Sequence, residues 1–267
     1  MSKYNRNWNE KIYRRYISEG RGQGAGAKYQ PWLTVRDFPS LGIVSRVKGR
    51  KTKRVYHLMS TLETNLFYLL DWSDDVLDIR EQYPMLNLKE VIEIAETAQI
   101  HYPYDNKSGF PYVLTSDFYV DKINGAVVIS VKPVSELKNQ RVREKLEIER
   151  RYWNAKNIKW EIITEREINH TKARNIEWLA QASDLTRFGM VDEQYQEIYG
   201  EFLVKQLHFS ENKPLHELFT ETEQFFKLKK GAGLNIYKNL AYRKKIAVDV
   251  SQAINFAEFM PGGKNCE

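Results

Sequence analysis

Asp117 and Lys132 sit in two short apolar runs separated by Asn124-Gly125. Residues 115–121 read as one strand and 127–132 as the next. Asn-Gly between β-rich runs is a strong hairpin signal, because both residues accept the positive φ of a type I′ turn. With Asn124 and Gly125 as a two-residue loop, Ile123 faces Ala126 and Asp117 falls opposite Lys132. Side chains alternate with period two, so Asp117, Ser130 and Lys132 then share one face. An acid, a hydroxyl and an amine on an apolar ribbon are costly to desolvate unless they serve one another or a metal. That grouping suits a metal-dependent nuclease. A plain surface ion pair, contributing roughly 0.2–1 kcal/mol, is the competing account. Pro133 ends the second strand directly after Lys132 and leaves the amine at a strand end.

Glu63 supplies a third group. Ser60-Thr-Leu-Glu63 opens a helix whose Leu62, Leu66, Leu69 and Leu70 fall at helical spacing. S-x-x-E is a capping box, which accounts for Glu63 structurally. A carboxylate in a first helical turn, packed on a sheet carrying Asp117, equally suits a second ligand for a hard cation. Phosphodiester hydrolysis needs an oriented water, a Lewis acid on the phosphate and relief of charge on the leaving oxygen. Mg²⁺, with Mn²⁺ as a substitute, takes oxygen ligands and keeps several waters. Asp117 is then the central ligand, the Val131 carbonyl adds another, and Lys132 stabilises charge at the phosphate. Glu149, in the charged helix 142–153, reads as a surface i,i+4 charge, with a second-metal role as the minority view.

A family resemblance adds to this. Gly20-Arg-Gly-Gln-Gly24, Pro31-Trp-Leu-Thr34, Leu77-Asp-Ile-Arg-Glu-Gln82, Ser116-Asp-Phe118 and Val131-Lys-Pro133 resemble the TnsA family, endonuclease subunits of heteromeric cut-and-paste transposases. So do Glu144-Lys-Leu-Glu147, Glu149-Arg-Arg-Tyr-Trp153, Asn175-Ile-Glu-Trp178 and Asn235-Ile-Tyr-Lys238. The resemblance implies an α/β fold with a restriction-endonuclease-like mixed-sheet core. It places the metal site and catalysis on Glu63, Asp117 and Lys132. Ser130 stands where the family carries Gln, and a hydroxyl is a shorter, weaker oxygen ligand that a water can replace. Implied, too, are cleavage of the 5′ strands at transposon ends, a TnsB-like transposase partner and a TnsC-like ATPase regulator touching the C-terminal region. A catalytically weakened DNA- or partner-binding module and a self-sufficient restriction-like nuclease are the rival functions.

Charge distribution suits DNA. The net charge is +6, which permits polyanion binding without demanding it. The run from Ile43 to Tyr56 carries Arg46, Lys48, Arg50, Lys51, Lys53 and Arg54 and no acid. A second acid-free run, Gln224 to Val248, includes Lys238, Arg243, Lys244 and Lys245. Both are expected to contact the DNA backbone, which positions a duplex without reading its sequence. The glycines from Gly20 to Gly26 follow a charged helix rather than a strand, so they do not make a phosphate loop.

The elements that must hold these residues are a helix at 8–18, a basic hairpin and the Glu63 helix. Strands at 76–80, 116–121 and 127–132, a helix at 142–156 and a strand at 160–164 complete a catalytic domain over residues 1–169. Residues 170–267 read as mainly helical and winged-helix-like. Helices at 172–182, 193–207 and 215–226 precede a glycine break, a short basic helix at 235–245 and a β-like segment at 246–250. Cys266 is the lone cysteine, which gives no disulfide framework. No long apolar run and no apolar leader after the early charges are present, so a cytoplasmic protein without membrane association is expected.

Overall fold

The computed structural model describes residues 8–37, 44–209 and 213–254. Ile43, where the first basic run opens, and Cys266 lie outside the described residues. The chain divides between Ile168 and Asn169 into two compact units.

The first unit is built on a mixed four-stranded sheet in the order β3-β4-β5-β6: β3 is Val76–Pro84, β4 Thr115–Lys122, β5 Gly125–Val131 and β6 Lys159–Ile163. The first three strands are antiparallel neighbours, and β6 runs parallel to β5. A parallel pair needs a crossover, and α4 (Gln140–Ala155) provides it. The run Val127-Val-Ile-Ser-Val131 is buried throughout, as a strand covered on both faces should be. Val128 lies in one core with Ile148, Tyr152 and Trp153 of α4 and with Val91 and Ala95. The last two belong to α3 (Leu88–Thr97), a helix that the sequence reading did not anticipate. Its signals are nonetheless present: Asn87 caps the N–H of Glu90, and the apolar residues follow helical spacing.

The hairpin turn differs from expectation. Lys122 pairs with Gly125, not Ile123 with Ala126, and the ladder runs on to Phe118 opposite Ile129. Gly125 takes the positive φ, +113°, whereas Asn124 does not have one. Thus Ile123-Asn124 makes the turn and no type I′ geometry forms. The register is displaced by two residues, which is one full side-chain period, and faces are exchanged only by odd slips. Asp117 therefore still meets Lys132, although not as a directly opposed ladder pair.

An N-terminal layer carries α1 (Glu10–Ser18), the hairpin β1 (Ser45–Lys48) and β2 (Val55–Leu58), and α2 (Thr61–Trp72). Trp8, Tyr16, Trp32 and Leu33 form its aromatic core with Val113. The glycine cluster serves close approach: a Cβ on Gly22, whose φ is +73°, would lie 2.2 Å from Pro84 Cγ. Gly22→Ala is expected to lower stability by about 1–3 kcal/mol through overpacking and left-handed backbone strain. A denaturant midpoint unchanged from wild type would contradict that packing.

The second unit is helical among its described residues: α5 (His170–Ala180), α6 (Glu193–Phe209), α7 (Leu215–Phe225) and α8 (Ala232–Tyr242). Leu203, Leu218, Phe219, Ile236 and Leu240 form its core. Gly231 is the N-cap of α8 and Gly233 lies in its first turn, with the Glu223 carboxylate accepting both N–H groups at 2.8 and 2.9 Å. A Cβ on Gly233 would fall 2.7 Å from the Phe219 backbone, so glycine is what allows α7 and α8 to touch there. The β-like segment 246–250 forms no ladder. Asn175 instead ties this extended segment down through its amide to the carbonyls of Val250 and Gln252.

Candidate active site

Ser60 stops the backbone in an extended conformation and caps α2 by accepting the Glu63 N–H at 3.1 Å. The Glu63 carboxylate answers by accepting from Ser60 Oγ and from the Met59 N–H, each at 3.0 Å. The reciprocal cap thus forms with the Met59 N–H and the Ser60 hydroxyl in place of the Ser60 N–H, and it fixes the carboxylate rather than exhausting its role. Glu63 is 5% exposed. Burial, and then the negative charge of Asp117, push its pKa up to about 7. A buried acid held this far above its ordinary range, beside a second acid, marks a position that a cation would neutralise.

Asp117, near the start of β4, has no ladder partner on either neighbouring strand. One carboxylate oxygen, Oδ2, accepts the Val131 N–H at 2.6 Å and Lys132 Nζ at 2.8 Å. Its other oxygen, Oδ1, takes no hydrogen bond among the described residues. Lys132 lies one residue beyond β5, and its backbone N–H donates to Ile163 of β6 at 3.1 Å. Its amine donates also to the Val131 carbonyl at 2.8 Å. Burial works against that charge, but Asp117 outweighs it and raises the Lys132 pKa, so the amine is held protonated.

Glu63, Asp117 and Lys132 line one cavity of about 320 Å³, together with Gln82, Thr115, Lys145 and Glu149. Ser130 does not line it. The residue is 1% exposed, and its hydroxyl donates to Glu149. Glu149 is accordingly no surface charge: burial raises its pKa, and Ser116 and Ser130 hold it. Position 149 continues the buried face of α4 through Leu146 and Trp153, at spacings of three and four residues. That apolar stripe was the missed signal. Glu147 is the surface charge here, paired with Arg150 and Arg151.

Gln82 is a second member that the sequence reading passed over. It sits in β3 at a φ of +48°, is 5% exposed, and its amide reaches Glu63 at 3.4 Å and Thr115 at 3.4 Å. A non-glycine residue in the left-handed region costs on the order of 1 kcal/mol or more and is commonest at functional sites. No spacing rule locates such a residue, because the conformation is imposed by tertiary contacts.

The donor set fits a hard divalent cation. No three His, Cys, Asp or Glu side chains form a ready cage among the described residues. Mg²⁺ does not require one, being held by one or two carboxylates with waters and substrate phosphates. Glu63, the Asp117 oxygen left without a hydrogen bond and the Val131 carbonyl are oxygen donors of that kind. Ser130 is occupied elsewhere.

Two of the basic residues expected to face a phosphate backbone turn inward. Arg54 makes a paired contact with Glu81, its side chain 8% exposed, and lies 3.6 Å from the Tyr56 ring centre. Lys238 is 5% exposed over Trp178 and donates to Gln181 at 3.0 Å; burial lowers its pKa to about 8. Both are drawn in because an aromatic face and an oxygen acceptor lie beside them. Arg50 is half-buried, with its guanidinium on the Asp71 carbonyl. Arg46, Lys48, Lys53, Arg243 and Lys245 are exposed, whereas Lys51 and Lys244 are half-buried.

Comparison with known proteins accords with this architecture. Residues 73–165 match the family described as TnsA-like endonuclease N terminal, and residues 167–250 the one described as TnsA endonuclease C terminal. The chain is 38% identical over 275 residues to the Tn7 transposition protein TnsA of Escherichia coli, covering 97% of this chain and 98% of that protein. A mixed sheet with acids from a strand and two helices gathered on one cavity, two successive family matches and near full-length similarity leave one assignment: the chain belongs to the TnsA-like transposon endonucleases.

Proposed function

We propose that this endonuclease hydrolyses the 5′ strands at the ends of a transposon in a Mg²⁺-dependent reaction, with Mn²⁺ able to substitute. The observation that supports this most is the convergence of Glu63, Asp117 and Lys132 on one cavity. Glu63, Asp117 and the Val131 carbonyl would hold the cation. When bound, Mg²⁺ supplies Lewis acidity on the phosphodiester and lowers the pKa of a coordinated water. Lys132, protonated and fixed by Asp117, donates to the phosphoryl oxygens as negative charge builds there. The water oxygen bonds to phosphorus as the P–O3′ bond breaks. The attacking water gives up a proton to solvent, the departing 3′ oxygen takes one from solvent to leave as a hydroxyl, and the phosphate remains on the 5′ side.

The family resemblance supports double-stranded transposon ends as substrate, a TnsB-like transposase cutting and joining the 3′ strands, and a TnsC-like ATPase regulator at the C-terminal unit. No helix among the described residues is long and apolar enough to cross a membrane, which suits work on DNA in the cytoplasm. Strand-resolved cleavage of a transposon-end duplex tests the reading. Cutting confined to the 5′ strand and dependent on the transposase partner supports it. Specific cutting by the isolated protein would favour a self-sufficient nuclease. Cation binding has its own readout: millimolar Mg²⁺ should raise the melting temperature of the wild type, since a ligand that binds only the folded state stabilises it. Asp117→Ala should lose that rise, and an equal rise in both would place the ion elsewhere.

A further inference from the structure

We propose that Lys145 is a substrate-binding residue of the cleavage site, taking a non-bridging oxygen of a DNA backbone phosphate that flanks the scissile one. The proposal rests on the nuclease reading above and adds a contact to it. Helix α4 presents Val142, Lys145, Leu146 and Glu149 to the cavity, at helical spacings of three, four and seven residues. Glu149 is fixed at the buried end by Ser130, and Lys145 lies one turn nearer the start of the helix. The other cations here are occupied. Lys132 is bound to Asp117 and the Val131 carbonyl, and Arg141 to the His101 carbonyl and Glu144. Lys145 has neither an ion-pair nor a hydrogen-bond partner among the described residues.

That isolation is informative because acids are abundant nearby. Glu144 is engaged with Arg141 and Gln140, and Glu147 with Arg150 and Arg151. Glu63, Asp117 and Glu149 line the same cavity, yet none bonds the Lys145 amine. Burial, with Arg141 and Lys132 behind it, lowers the Lys145 pKa. A partly desolvated ammonium without a counter-charge is costly, and an entering anion relieves the cost. In a nuclease the anion that enters is the DNA backbone. Lysine serves such a contact as a point charge on a flexible stem. Lys132 and the cation account for the scissile phosphate, which leaves its neighbour for Lys145.

The test uses the full-length protein, with its transposase partner, on transposon-end duplexes carrying single neutral methylphosphonates on either side of the cut. Lys145→Met retains the aliphatic stem. It should cut roughly 10- to 100-fold more slowly on unmodified DNA, with a salt dependence shallower by about one phosphate contact. On one methylphosphonate duplex, wild type should fall to the level of the variant, and the variant should lose nothing further. Lys145→Arg should recover most of the rate. Lys145→Gln provides the same comparison if the Met variant folds poorly. A penalty of the same size on every duplex, or none at all, would overturn the assignment. Asp117→Ala on the same duplexes separates the two failures. If it still cuts, the site itself has been misplaced; if it is dead while Lys145→Met behaves as wild type, only the lysine contact fails.

Discussion

Asp117→Ala should leave no detectable cleavage of the 5′ strand, while the protein folds and assembles with its partners as before. The carboxylate has two jobs in one place. In the proposed reaction it would offer an oxygen to the cation, and it holds the Lys132 amine at 2.8 Å. Removing a metal ligand forfeits several kcal/mol of transition-state stabilisation, on the order of a thousandfold or more in rate. The structural cost is smaller. The Val131 N–H loses its acceptor at 2.6 Å, but Asp117 lines the cavity, where a water can replace it. Cutting and joining of the 3′ strands by the partner should continue, which makes the assay internally controlled. Retained 5′ cleavage would remove Asp117 from the site.

Lys132→Ala should separate chemistry from metal binding. The amine carries no lone pair to offer a cation while it is protonated, and Asp117 keeps it so. Loss of a preorganised cationic donor at a charged transition state costs about 10²–10³ in rate. Calorimetric Mn²⁺ binding should persist, because Glu63, Asp117 and the Val131 carbonyl remain. Lys132→Arg should recover little, since a planar guanidinium does not take the position of a compact ammonium held between Asp117 and Val131. Turnover like that of the wild type would contradict the role assigned to the amine. Lost Mn²⁺ binding would mean that Lys132 organises the ligands instead.

What could be read from the residues alone follows how local the physics is. The cap at Ser60 is a four-residue interaction, and the pattern S-x-x-E displays it directly. The meeting of Asp117 and Lys132 is less local, yet it tolerates error: the turn settled on Ile123-Asn124, but an even displacement keeps side chains on their faces. Glu149 is buried, contrary to the surface position that its charge suggests, because its phase on the helix and not its charge sets its direction. The apolar positions of α4 place it inward. Gln82 and Arg54 were out of reach for a different reason. The first is set by a left-handed backbone inside a strand. The second is set by Glu81, 27 positions away in sequence. The β-like segment 246–250 misleads similarly, since β-branched residues alone cannot supply a neighbouring strand. At its end the Val250 carbonyl is taken by Asn175 instead.

The central claim is that Glu63 and Asp117 hold one hard cation where a phosphodiester is cut. Crystals of the protein soaked in Mn²⁺ and measured at the manganese edge test it most directly. An anomalous peak at roughly 2.0–2.2 Å from an oxygen of each carboxylate is the predicted result. A peak bound to neither of them, or a Glu63→Gln, Asp117→Ala double variant that gives the same peak, would contradict it.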